Sequence, residues 1–174
     1  MPTLGESADI ILGQEFLTWL WYQSDTAPGS FTDKDGLPFA VSMEQRIVVE
    51  GGEGDARETA SVSGSLSPLR EARFGLGTGK KVSRALLRLE KDAMAFQVTL
   101  KAEDFCLNSL KTPKLDKADG GDEDPDALFL EKIFLMETCV GLLDALYVRF
   151  LKLRLSPGWP AEVEHMRQWM TRTE

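Results

Sequence analysis

Between Asp126 and Leu155, apolar residues recur every three or four positions, which is the period of an α-helix. Two apolar rows run along this stretch, and a thin polar strip separates them. A helix that is apolar on most of its circumference is typical of a buried position between layers. We therefore predict a long central core helix over residues 126–155. Its rows are Phe129, Ile133, Met136, Val140, Leu143, Tyr147 and Phe150, and Leu128, Leu135, Leu142, Leu146 and Leu153.

Three further segments show helical signals. The first helix is predicted to begin after Asp9, an N-cap residue, and its aromatic cluster indicates core rather than a stacking platform for bases. The second is predicted to begin with Ser67 at its N-cap and Pro68 at its first helical position. The third is short, amphipathic and C-terminal. The predicted spans are Ile10–Ser24, residues 67–76 and Ala161–Thr171.

Alternating apolar and polar positions predict strands in the middle of the chain. These strands arrive as hairpins, so the sheet should be largely antiparallel and the fold class α+β. We expect one domain over residues 1–174: four to five strands packed with the long core helix, an N-terminal helix and a short C-terminal helix. The polar stretch at about 112–125 is predicted to be a flexible acidic loop. The predicted strands are Phe39–Glu50, Arg57–Leu66, Lys81–Lys91, Met94–Lys101 and the candidate Phe105–Lys111.

The 174 residues are 43% hydrophobic and 28% charged, which suits one globular domain with a core of its own. The net charge of −8 argues against nucleic acid as a partner, but the charge is unevenly distributed. Residues 66–117 contain eleven basic and six acidic residues, whereas the segments before and after them are acidic. A basic middle segment between acidic flanks is compatible with a local anion-binding surface.

The glycine-rich segment Gly75–Lys80 invites comparison with a phosphate-binding loop. That motif requires a glycine five positions before its second glycine and a Ser or Thr after the lysine, where this chain has Phe74 and Lys81. The segment also follows a predicted helix instead of a strand. We therefore predict a helix C-cap here and no ATP or GTP site.

Other residues give little support for catalysis, metal or cofactor binding. His165 is the single histidine, and the two cysteines, Cys106 and Cys139, lie among apolar residues, as small buried thiols do. The aspartates near Asp33 lack the register of a calcium loop. We therefore expect no enzyme, metal, cofactor or small-molecule substrate.

Two features bear on the compartment. Charged residues interrupt the long helix every four to seven positions, which argues against a membrane span. The first ten residues contain Glu6 and Asp9 and no basic n-region, which argues against a signal peptide. We expect a soluble cytoplasmic protein that is nucleoid-associated if it binds DNA.

The candidate site is electrostatic. Basic residues crowd the glycine-rich segment and the strands after it, and a face with several cations can neutralise phosphates whatever the base sequence. Arg84 and Arg88 occupy even positions of one strand and should share a face, with Lys81 on the other. The alternative is an ordinary solvated outer sheet face, which the residues alone favour. The candidate DNA-binding residues are Lys80, Lys81, Arg84, Arg88 and Lys101.

Three segments, in this order, resemble the C-terminal half of the RdgC family of bacterial recombination-associated proteins. The first is Leu12-Gly-Gln-Glu-Phe-Leu-Thr-Trp-Leu-Trp-Tyr22. The second, Ser67 to Leu89, is a predicted helix that ends in Gly-Lys and leads into a strand of alternating apolar and basic residues. The third is Ser109-Leu-Lys-Thr-Pro113, followed by an acidic spacer, the long helix and Trp159.

The resemblance implies non-catalytic, sequence-nonspecific DNA binding associated with recombination. Members of that family form ring-shaped dimers around duplex DNA and restrain recombinase filaments. This chain lacks a counterpart of the family's N-terminal half and is acidic overall. Apart from these differences, the resemblance implies contact with DNA backbone phosphates and a homodimer. We place the interface of this homodimer near Leu128, Leu135 and Leu142. The alternative is a protein-interaction module of the same fold that has lost DNA binding.

Overall fold

The computed structural model describes residues 4–51, 58–63, 66–114 and 124–172, and these form four helices and six strands in an α+β arrangement. The fold class predicted from the sequence is confirmed. The helices are α1 Leu4–Thr26, α2 Leu66–Gly77, α3 Pro125–Arg154 and α4 Trp159–Thr171. The strands are β1 Phe31–Thr32, β2 Pro38–Gly51, β3 Glu58–Ser63, β4 Lys81–Lys91, β5 Met94–Lys101 and β6 Leu107–Lys111.

All strand pairs of the sheet are antiparallel, in the order β1-β2-β4-β5-β6. Strand β3 lies outside this order and pairs with the second half of β2. Strand β1 was not predicted because two residues are too few to show an alternating pattern. The hairpin of β4 and β5 has the predicted bounds, and Asp92 takes a positive φ of 53° in its turn.

One face of the sheet holds the core and is covered by helices. Its buried side chains alternate along the central strands, as in Leu87 and Leu89 of β4 and Phe96 and Val98 of β5. Helix α1 packs on β2 and β4 and is itself deeply buried. It begins at Leu4, so the N-cap predicted at Asp9 is wrong.

Helix α3 has the predicted length, but only part of it is buried. Its C-terminal half packs on α1, where the Phe150 ring lies 5.4 Å from Phe16 and 5.6 Å from Trp19 between centroids. Its N-terminal half exposes several apolar side chains. The prediction that most of its circumference is buried is therefore wrong, because α1, and not α3, packs directly on β2 and β4.

Capping and turn residues fix the ends of several elements. The Asp124 carboxylate accepts the Asp126 N–H at 3.1 Å, so the end of the acidic stretch caps α3. Helix α2 begins at Leu66, before the N-cap predicted at Ser67. Most of the flexible acidic loop predicted at about 112–125 lies outside the described residues.

Candidate nucleic-acid interface

Among the side chains that the structure describes, four basic ones lie on the sheet face that points away from the helices, and we call them the basic face: Arg84, Arg88, Lys101 and Lys111. Arg84 of β4 and Lys101 of β5 are direct cross-strand partners. Side chains in such positions have Cβ atoms about 5 Å apart, and like charges there destabilise the sheet. Among the described residues, neither side chain has an ion-pair partner. This pair is therefore the part of the face best suited to an anion.

Arg88 lies on the same face but is already engaged by a carboxylate. Its Nε donates to Glu90 Oε1 at 2.5 Å, and both side chains are well exposed. The hydrogen bond that Arg88 donates to Glu90 raises the pKa of the Arg88 guanidinium, and the charges of Glu90 and Glu44 add to this effect. Arg88 therefore offers a phosphate less net positive charge than Arg84 or Lys101.

Lys111 joins the basic face through the pairing of β5 with β6. It is the cross-strand partner of Gln97, which on its other side pairs with Arg88. Lys111 is not among the candidate residues predicted from the sequence. The register between β5 and β6, which a shift between Gln97 and Thr99 makes irregular, was needed to place it.

The other two predicted residues lie elsewhere. Lys80 is in the turn between α2 and β4, and its side chain packs closely against Gly51, where a Cβ would come within 2.8 Å of Lys80 Cγ. Lys81 lines a cavity of about 470 Å³ between α1, α2 and α4. Of the five predicted residues, the structure thus brings Arg84, Arg88 and Lys101 together, without Lys80 and Lys81.

The glycine-rich segment before β4 forms the helix C-cap that was predicted. The N–H groups of Thr78 and Lys80 both donate to the Gly75 carbonyl at 3.1 Å, and that of Gly79 donates to Leu76. Gly79 has a φ of +98°, which only glycine adopts easily. These amides satisfy the end of α2, so they are not directed at a ligand phosphate.

The cysteines and the histidine differ in their surroundings. Burial raises the pKa of the Cys139 thiol to about 11. Cys106 is exposed, so the prediction that it is buried is wrong. His165 lies on the surface of α4, with Nδ1 at 3.8 Å from the Glu162 carboxylate. In the part of the chain that the structure describes, no three His, Cys, Asp or Glu side chains cluster as metal ligands do.

The length and polarity of the helices bear on membrane insertion. Within the described ranges, none of the helices has an apolar stretch that would span a bilayer.

Comparisons of the chain with protein family models, curated proteins and solved structures gave no match. The resemblance to the RdgC family therefore stays a prediction.

Proposed function

We propose that this chain is a non-catalytic protein that binds the phosphate backbone of DNA without sequence preference, through its basic face. The observation that carries the proposal is the pairing of Arg84 with Lys101 across β4 and β5. Two cations in neighbouring positions repel each other, and a bound phosphate removes that repulsion. The predicted resemblance to the RdgC family supports the same function, in recombination.

The dimensions of the basic face suit a few phosphates. Arg84 and Arg88 are four residues apart on one strand, which corresponds to about 13 Å. Three neighbouring strands, β4 to β6, span about 10 Å across the face. Contacts to phosphates fix the position of a protein on DNA but do not read bases, so this face should bind without sequence preference.

The acidic net charge limits the strength of binding. A total charge of −8 repels DNA at long range, and salt screens this repulsion as it screens the local attraction. Three or four phosphate contacts predict weak binding. The logarithm of the association constant should fall linearly with the logarithm of the salt concentration, with a slope of about −3. Such a slope distinguishes backbone binding from association through apolar surfaces.

A salt-titrated binding assay with duplex and single-stranded DNA tests the proposal. Replacement of Arg84 and Lys101 by Ala should weaken binding to all sequences alike, because each side chain contacts phosphate. The slope should become less negative by about 2, one for each lost contact. Fluorescence anisotropy of labelled DNA over a range of salt concentrations measures both quantities.

The matched control is Lys34→Ala with Lys152→Ala, which removes the same charge from exposed positions off the basic face. This control should change the slope much less than the Arg84/Lys101 variant does. Equal weakening by both variants would show that net charge, and not the face, governs binding. Absence of binding to either form of DNA at low salt would refute the proposal and favour the protein-interaction module.

A further inference from the structure

From its N-terminal half to its middle, α3 presents a row of apolar side chains that the described part of the domain leaves exposed. We call this row the α3 seam: Phe129, Ile133, Met136 and Val140. Phe129, Met136 and Val140 are 64%, 51% and 49% exposed, and Ile133 is half-buried. Leu130, beside the seam, is 64% exposed. A contiguous apolar surface of this kind marks an interaction site, because scattered single residues would not align on one helix face.

The spacing of the α3 seam is that of a coiled coil. Its members follow one another at intervals of four, three and four residues, which is the heptad alternation of d and a positions. Phe129 and Met136 then occupy d positions. Ile133 and Val140 occupy a positions, where β-branched residues in parallel coiled coils favour two strands over three or four.

The charges beside the seam favour a parallel pair. In this heptad Lys132 is at a g position and Glu137 at the following e position, and both are exposed. In a parallel pair, g of one helix faces the next e of the other, so Lys132 meets Glu137 of the second copy, twice by symmetry. In an antiparallel pair Glu137 would face the apolar Leu130, and Lys132 would face Cys139, which is already buried.

We propose that two copies of this chain associate through their α3 seams as a short parallel coiled coil. The structure corrects the interface predicted from the sequence, because Leu135 and Leu142 lie in the domain's own core, at 5% and 2% exposure. The seam spans about 16 Å of helix, so the contact is small. The helix already exists in the folded domain, however, so pairing requires no helix nucleation. This association does not depend on DNA binding.

Sedimentation velocity of the full chain over a concentration series tests the association. The wild type should shift from monomer to dimer as its concentration rises. Met136→Glu places a charge at the centre of the seam and should raise the dissociation constant at least about 30-fold, as a hot-spot substitution does. Glu131→Gln changes a side chain away from the seam and should leave the dissociation constant unchanged.

Circular dichroism of each variant controls for folding, since the altered positions are exposed. A wild type that stays monomeric at all concentrations would overturn the proposal. So would a folded Met136→Glu variant that dimerises as the wild type does, because the contact would then lie elsewhere.

Charge exchange tests the parallel orientation. Lys132→Glu alone should weaken the dimer, because it sets two carboxylates against each other at each site. The double variant Lys132→Glu with Glu137→Lys should restore it, because it reverses both partners. In a Cys106→Ser background, Met136→Cys should form a disulfide between copies on oxidation, since equivalent d positions face each other only in parallel helices. Failure of both the restoration and the cross-link would overturn the parallel arrangement.

Discussion

Asp33 joins the turn before β2 to the far end of β4. Its Oδ1 accepts the N–H groups of Asp35 and Leu37, each at 2.9 Å. Its Oδ2 accepts a hydrogen bond from Lys91 Nζ at 2.5 Å. This bond to Lys91, followed by that from Leu37, lowers the pKa of the Asp33 carboxyl below its ordinary value. Asp33, which lies in the aspartate-rich segment compared above with a calcium loop, therefore stabilises a turn and forms an ion pair with Lys91.

The Asp33–Lys91 pair makes a pH-dependent contribution to stability. Because the pKa of Asp33 is lowered in the folded state, this contribution is present above the carboxyl's unfolded pKa of about 4 and is lost as the pH falls through the folded value. Asp33→Asn keeps the Oδ1 acceptor but loses the charge. It should lower the free energy of unfolding at neutral pH, and the difference from the wild type should shrink below about pH 4. Urea denaturation at neutral and acidic pH measures both effects.

The control for this prediction is Asp35→Asn in the same turn. The Asp35 backbone N–H donates to Asp33, but its side chain is exposed. This variant should unfold almost as the wild type does at either pH. A difference between Asp33→Asn and the wild type that persists unchanged at acidic pH would contradict the assignment to the ion pair. The partner, Lys91, lies 58 residues away in the chain, so the sequence alone could not reveal the contact.

At the scale of elements, α1 and the sheet approach closely at one glycine. A Cβ built on Gly13 would lie 1.9 Å from the carbonyl oxygen of Ala102, just beyond β5. No side-chain rotation can relieve a clash with backbone, so the helix or the strand end would have to move. The absence of a side chain at Gly13 therefore sets the distance at which α1 packs on the sheet.

Replacement of Gly13 by Ala should destabilise the domain although Ala favours helices. We expect a loss of about 2 kcal/mol in the free energy of unfolding, because the clash destabilises the domain more than the higher helix propensity of Ala stabilises it. The matched control is Gly141→Ala in α3, where a Cβ meets nothing within 4 Å. That change should stabilise by up to about 1 kcal/mol. Denaturant unfolding of both variants measures the difference, and effects of the same sign would contradict this account.

The elements with a clear local period were predictable from the sequence. Strands β4 and β5 were predicted with their correct bounds because their alternation is regular and their turn is short. The two apolar rows of α3 predicted its length but not its burial. A period shows which residues share a face, whereas the neighbour that covers the face depends on the rest of the fold. In this domain α1 takes the central place on the sheet, so α3 buries one face and leaves apolar side chains of its N-terminal half exposed.

The candidate site was predictable to a similar extent. The period of a strand placed Arg84 and Arg88 on one face, but the pairing of Arg84 with Lys101 depends on the register of β4 with β5. The neutralisation of Arg88 could have been found, since Glu90 is two positions further along the same strand and therefore on the same face. The position of Lys111 could not, because it depends on β6.

At the scale of the whole molecule, hydrogen bonds join the first helix to the last. The Glu162 Oε1 in the first turn of α4 accepts hydrogen bonds from Trp19 Nε1 at 3.1 Å and Gln23 Nε2 at 2.7 Å, both on α1. At the other end of the same interface, Trp169 Nε1 donates to Asp25 at 3.1 Å. Residues more than a hundred positions apart thus hold α4 against the core, and the sequence gives no local sign of these contacts.

Glu162→Ala tests how much the hydrogen bonds between α1 and α4 contribute to the stability of the domain. Trp19 is fully buried, so its indole N–H would be left without a partner, and we expect a loss of about 1–3 kcal/mol in the free energy of unfolding. Glu164→Ala, on the same helix but 57% exposed, should change stability by less than about 0.5 kcal/mol. Glu162→Gln, which keeps an acceptor oxygen but no charge, should fall between the two. Thermal and urea unfolding distinguish them, and equal losses for Glu162→Ala and Glu164→Ala would mean that packing alone, and not these bonds, holds α4 in place.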